Sequence, residues 1–186
     1  MDVESKIPRA FEVLGPVAGS DVVLVDADAP LRAAQLEALG ARLIVVPAPG
    51  LAGLADASAD IIASCWSWFR EDLPGSLAAA ERVLRPGGRL LVLHDYGRDD
   101  VSRLRSPDLP EYTTWGRRDG WFLRTGFRVR VIHCWWTFDA VPDAVAFLEA
   151  AFGAAGVAVA AGLRRPRLSH NVAIYHRTKG GAPGPD

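Results

Sequence analysis

Four places in the sequence put chemistry-bearing side chains directly after a short apolar run. Asp26 and Asp28 follow Val22–Val25, and Pro47 and Ala48 follow Leu43–Val46. Cys65 and Trp66 follow the run DIIAS, and His94 and Asp95 follow RLLVL. Carboxylates at such positions can hold a polar cofactor group or a metal ion. A histidine can take a proton, and a neighbouring carboxylate can orient it. His94 and Asp95 are adjacent, however, and adjacent strand residues point to opposite faces, so the two are not expected to act as a pair. A nucleophilic Cys65 would need a nearby base, and none lies close in sequence, so a buried thiol is the plainer reading of Cys65 and of Cys134. No close ligand spacing supports a metal site. Asp28 can also cap the helix that Pro30 opens.

The elements that position these residues follow from pattern. Val22–Val25 and Leu43–Val46 read as buried strands, as do 60–64 and 89–93. An Ala/Leu-rich helix with Pro30 in its first turn and Gly40 past its end lies between the first two. A second helix carries Leu77, Ala80 and Leu84 on one face, with Ser76 as its cap. Pro86-Gly87-Gly88 ends it. Residues 8–14 suit a short helix, broken at Gly15-Pro16. After a loop region over 97–120, residues 127–135 alternate as a half-exposed strand. A helix with Val141, Val145, Leu148 and Phe152 on one face runs to Gly153. Residues 171–176 are the last strand. Strands alternating with helices indicate an α/β fold with a largely parallel sheet and an antiparallel pair at one edge. In open sheets of this kind ligands sit at the carboxyl ends of strands, the places named above.

Composition narrows the function classes. The chain has 186 residues, 49% of them hydrophobic, enough to bury a sizeable core in one domain over 1–178, with a disordered end at 179–186. Its 21 basic and 22 acidic residues leave a net charge of −1, which argues against a general nucleic-acid binder. Charge is uneven, with 7 basic against 12 acidic residues over 21–100 and 12 against 7 over 101–186. No uninterrupted apolar run reaches the roughly 18 residues of a membrane span, and no signal-peptide core opens the chain, so a cytoplasmic protein is expected. Two cysteines make no disulfide framework. Arg117, Arg118, Arg124, Arg128 and Arg130 interleave with aromatics, but on a net negative chain they read as a solvated face. Of the six tryptophans, Trp66 is the best placed to wall a pocket.

The stretch Glu81–Asp95, ERVLRPGGRLLVLHD, resembles the class I S-adenosylmethionine-dependent methyltransferases, in which a helix ends in such a PGG turn and feeds the fifth strand. Residues 56–64 look like the family's loop and fourth strand, and 65–69 (CWSWF) like the segment bordering cofactor and substrate. The resemblance covers roughly 20–178. It implies a Rossmann-like methyltransferase fold, S-adenosylmethionine as cofactor and a small-molecule substrate. It places Asp26, Asp28, Ala48 and Cys65 at the cofactor, Trp66, Asp95 and Tyr96 at the substrate, and His94 in the catalytic position. The glycine-rich loop that usually follows the family's first strand is absent; Asp26-Ala27-Asp28-Ala29-Pro30 stands in its place.

Two alignments compete. In one, 22–25 is the family's first strand and 43–46 its second, and an edge strand is missing. In the other, 22–25 is the second strand, Asp26 is its ribose-binding acid, Ala48 replaces the acid near the adenine, and the central first strand is missing. Losing an edge strand leaves the core closed, whereas losing a central one leaves two ladders unpaired. The first alignment is preferred, with a sheet of about six strands and 43–46 at an edge. It puts two carboxylates where the cofactor's own carboxylate would come, and Pro47 where a ribose acid belongs. A non-catalytic relative, acting as a binding or scaffolding subunit or a homodimer through the 43–46 edge, is the alternative. Asp26-x-Asp28 after a strand also resembles the start of the haloacid-dehalogenase-type phosphatases, but the rest of that pattern is not present.

Overall fold

A computed structural model describes residues 5–25 and 30–180 of the chain. Asp26, Asp28 and the tail beyond 180, all singled out above, therefore lie outside the described residues. The elements run α1 (Lys6–Leu14), β1 (Asp21–Val25), α2 (Pro30–Ala38), β2 (Arg42–Val46), β3 (Ala59–Cys65), α3 (Leu73–Val83), β4 (Leu84–Asp95), α4 (Pro110–Thr113), α5 (Trp121–Arg124), β5 (Arg128–Thr137), α6 (Val141–Ala160) and β6 (Arg167–Thr178). Single 3-10 turns at Ala48–Gly53 and Val101–Leu104 follow β2 and β4.

The six strands form one sheet in the order β2-β1-β3-β4-β6-β5. The first four are parallel; β6 runs antiparallel to both β4 and β5. β1 pairs directly with β2 on one side and β3 on the other. The core is thus closed and β2 stands at the edge, as the first alignment requires.

Alternation along the strands splits the apolar residues between the two faces. Val23, Val25, Ile62 and Val92 meet Ala80 and Val83 of α3 together with Phe122 and Phe127. Val22, Leu24, Ile61 and Leu91 meet Ile7 and Phe11 of α1 and Leu36 of α2. A third, smaller cluster packs Leu148 of α6 on Leu168 of β6 and on Val101 and Leu104.

Three local expectations change. α3 begins at Leu73, and its cap is Asp72, whose carboxylate accepts the Gly75 N–H at 3.0 Å; Ser76 lies inside the helix. Leu84 is the first residue of β4 rather than part of the helix face. α6 does not stop at Gly153: that residue takes φ 54°, ψ −128°, open only to glycine, and helix resumes to Ala160. Among the described residues α6 is the one helix with the length and composition to cross a membrane, although only 17% of the relevant window is buried.

The Pro-Gly-Gly turn has a physical reason at each glycine. Gly87 has φ 78°, and a Cβ on Gly88 would come within 3.0 Å of the Asp60 carbonyl and 2.9 Å of the Arg85 carbonyl. The turn thus presses β4 against β3, where the register shifts between Ala59 and Ile61. Arg85, just before it, reaches both Asp21 and Asp60 at 2.8 Å and ties the starts of β1, β3 and β4 together.

Candidate functional site

The site begins where β3 ends. Trp66 and Phe69 both hold positive φ, 58° and 62°, a backbone state costing a non-glycine residue on the order of 1–2 kcal/mol. Hydrogen bonds hold this tight loop. The Trp66 N–H donates to the Leu93 carbonyl at 2.8 Å, and the Trp68 N–H to Ser64 Oγ at 3.2 Å. Ser67 Oγ donates to the Val25 carbonyl at 2.6 Å, which fixes the loop to the end of β1. The outcome is an indole laid across the end of β4. Arg32 of α2 approaches its ring, with Cζ 5.7 Å from the centroid, and His170 stacks at 6.4 Å.

Asp95, the last residue of β4, is the centre of this arrangement. It is 2% exposed, and four side chains converge on it. Trp66 Nε1 donates to Oδ1 at 2.7 Å, and His170 Nε2 lies 3.0 Å from the same oxygen. Tyr112 Oη donates to Oδ2 at 2.9 Å, and the Arg105 guanidinium meets that oxygen at 2.6 Å. Burial alone would push the carboxyl up. The bond and charge of His170, the charge of Arg105 and the Trp66 bond outweigh it and hold the group down at about 2. Asp95 is thus a buried, fully ionised anchor joining the β3 loop, β4, α4, β6 and the chain after the 3-10 turn. Tyr112 becomes a weaker acid in turn: burial and the adjacent carboxylate raise its phenol well above the usual range.

His94 points the other way, as adjacent strand residues must. It is fully buried, with its ring 4.5 Å from that of Trp115 and 6.4 Å from Phe122. Neither ring nitrogen makes a well-formed hydrogen bond among the described residues, although the backbone of Trp68 and Phe69 lies close enough to favour the protonated ring slightly. Burial, aided by the charge of Arg70, pushes its basicity down to about 3, so the ring is neutral. Arg70 Nε donates to the Trp66 carbonyl at 3.0 Å, and its guanidinium meets the buried carboxylate of Glu111 at 2.6 Å. Glu111 Oε2 and Tyr175 Oη are also buried without a partner. Unpartnered buried polar atoms are uncommon in folded proteins, and three such side chains lie on this side of β4 around Trp115 and Phe122.

The remaining expected residues are placed as follows. Tyr96 is half-buried, donates its N–H to the Asn171 carbonyl at 2.9 Å and has Arg98 over its ring at 5.9 Å. Cys65 is buried on the face covered by α1 and α2, in no disulfide. Ala48 opens the 3-10 turn after β2. The structure therefore joins Trp66 to Asp95 and separates both from His94. Arg70, Arg105, Glu111, Tyr112 and His170 were not singled out from the sequence, because nothing in their spacing connects them to β4.

The end of β2 does not fit a ribose. Pro47 has neither a carboxylate nor an N–H to offer a pair of hydroxyls, and the next four residues are Ala48, Pro49, Gly50 and Leu51. The segment that would meet the rest of an S-adenosylmethionine molecule, 26–29, lies outside the described residues.

Residues 9–92 match a family model described as a methyltransferase domain. No curated protein matches the sequence. Solved structures do match in fold. A candidate type II methyltransferase from Anaeromyxobacter dehalogenans aligns with a TM-score of 0.57 at 19% identity, over 92% of this chain and 96% of that one. The MccD protein aligns at 0.60 and 10% identity, over 96% and 99%. Geranyl diphosphate C-methyltransferase from Streptomyces coelicolor aligns at 0.50 and 11%, over 93% and 80%. The protein thus has the α/β fold of the class I S-adenosylmethionine-dependent methyltransferases. It is methyltransferase-like, with a mixed six-stranded sheet.

Proposed function

We propose that the protein is an S-adenosylmethionine-dependent methyltransferase that holds its cofactor mainly through residues 26–29, the segment that follows β1. The observation that carries this reading is the methyltransferase-domain match over 9–92 on a mixed six-stranded sheet of order β2-β1-β3-β4-β6-β5. Bound there, the cofactor would supply an electrophilic methyl group, and the chain's part is to position the acceptor. In this reading Asp26 and Asp28 hold the ribose or amino group, with Ala48 and Cys65 flanking the site. Trp66, Asp95 and Tyr96 border a small-molecule substrate. Asp95 acts through Trp66, since all its bonds go to protein groups. His94, neutral and without a well-formed hydrogen bond at either nitrogen, accepts a hydrogen bond from an N–H or O–H entering beside Trp115. While buried it is too weak a base to remove a proton at neutral pH.

A second reading has its own observation. Pro47 at the end of β2 favours a relative that no longer binds the cofactor and acts as a binding subunit. Its surface would be the edge of β2, where Ile44 and Val45 are 53% and 49% exposed, paired with a second copy about a two-fold axis. We place the protein in the cytoplasm under either reading. Calorimetric titration with S-adenosylmethionine and S-adenosylhomocysteine separates the two. Micromolar binding that is lost in Asp26→Ala supports the first. No heat and no thermal stabilisation at millimolar ligand leaves the second.

A further inference from the structure

The link between α6 and β6 ends in Leu163-Arg164-Arg165-Pro166, and Arg167 opens β6. With the 3-10 turn Val101–Leu104 and the end of β5, it encloses a cleft of about 300 Å³. Arg103, Arg164, Arg165 and Arg167 line this cleft, with Trp135 and a single carboxylate, Asp100. That carboxylate is already committed. Its Oδ2 accepts the Ser169 N–H at 2.9 Å and the Ser169 hydroxyl at 2.7 Å, and Arg103 comes no closer to Oδ1 than 3.6 Å.

The four guanidiniums are otherwise uncompensated. The side chains of Arg164 and Arg165 are exposed and make no hydrogen bond or ion pair among the described residues. Arg167 lies on the face of Trp135, its Cζ 4.2 Å from the ring centroid. That contact orients the group without neutralising it. The link itself is held: the Arg167 N–H donates to the Arg165 carbonyl at 2.7 Å, and the Phe138 N–H to the Pro166 carbonyl at 2.9 Å. Four like charges around one concavity repel, and a low-dielectric wall of Val159, Leu163 and Trp135 concentrates their field. A multivalent anion reverses the sign of that energy. Planar guanidinium forks match the oxygens of a phosphate two at a time.

We propose that this cleft binds a phosphate group, with Arg164, Arg165 and Arg167 as its ligands and Trp135 setting the direction of Arg167. The assignment is independent of methyl transfer. Phosphate chemistry can reach the cleft from a soluble phosphorylated molecule or from a phospholipid headgroup. The lipid source is considered because the exposed residues of α6 from Ala150 to Ala158 carry no charge.

The test uses the full chain. Inorganic pyrophosphate is titrated calorimetrically at low and moderate salt. In parallel the protein is sedimented with vesicles of phosphatidylcholine, alone or mixed with phosphatidylglycerol. The comparison is an Arg164→Glu/Arg165→Glu double variant, with circular dichroism to confirm folding; both positions are exposed, so folding should persist. We expect pyrophosphate to bind, to bind less at higher salt, and to bind roughly tenfold or more weakly in the variant. Pyrophosphate binding without vesicle binding identifies a soluble ligand. Additional binding to the anionic vesicles alone, lost in the variant, identifies a headgroup. Failure of both pyrophosphate and anionic vesicles overturns the proposal. So does binding that the double variant leaves unchanged, or binding to phosphatidylcholine alone that persists in the variant.

Discussion

Asp95 and His94 are neighbours in sequence with opposite acid–base fates. The carboxyl of Asp95 is held at about 2, below the roughly 3.9 of an unfolded chain. It therefore stabilises the fold fully above pH ~4, and that stabilisation, on the order of 2 kcal/mol, is lost as pH falls toward 2. Asp95→Asn keeps the shape but removes the charge that Arg105 faces in a buried site. We expect it to cost about 3 kcal/mol in urea denaturation at pH 7. His94 is held at about 3 against an ordinary 6.5, so below pH 6.5 the unfolded chain takes up a proton that the native ring refuses. Its contribution is present above pH 6.5 and lost as pH falls toward 3. His94→Leu removes this dependence. The variant should lose about 2 kcal/mol less than the parent between pH 7 and pH 5, read from urea midpoints at the two pH values. An unchanged acid limb would show that the ring is not sealed in solution.

At the scale of elements, the chain between β4 and β5 is secured by ion pairs rather than by regular structure. Arg70 on the β3 loop holds Glu111 at the start of α4, and Asp95 holds Tyr112 on the same short helix. Arg70→Ala would leave a buried carboxylate without its cation. We expect a loss of about 3 kcal/mol and faster hydrogen exchange over 110–122, with the sheet protected as before. The strands and the β3–α3–β4 unit were legible in the sequence because strands here are apolar runs and the Pro-Gly-Gly turn leaves a local mark, although β2, expected to be buried, is half exposed at the sheet edge. The Asp95 cluster was not. Its donors sit 17 residues away at Tyr112 and 75 away at His170, and only sheet order brings them together. The cap of α3 was missed for a smaller reason. Ser76 and Asp72 are both good caps, and the Leu73-Pro74 start that selects Asp72 carries no apolar periodicity of its own.

For the whole molecule, β2 leaves one edge of the sheet bare, with Ile44 and Val45 about half exposed. Ile44→Lys puts a charge at the middle of an exposed strand edge built of Leu, Ile and Val. If the edge pairs two copies, light scattering at high concentration should report a dimer for the parent and a monomer for the variant. A parent that is monomeric throughout removes this interface. Shape also depends on a single residue at the far end of the sheet. Gly153 breaks α6 in a backbone state closed to side-chain-bearing residues, so Gly153→Ala should lower stability by about 1–2 kcal/mol, measured by thermal unfolding. At 1.5 Å per residue, the piece before the break is about 18 Å long and the piece after it about 10 Å, against a hydrocarbon layer of about 30 Å. A stretch with the composition of a bilayer span is thus cut into two lengths, neither of which reaches across one.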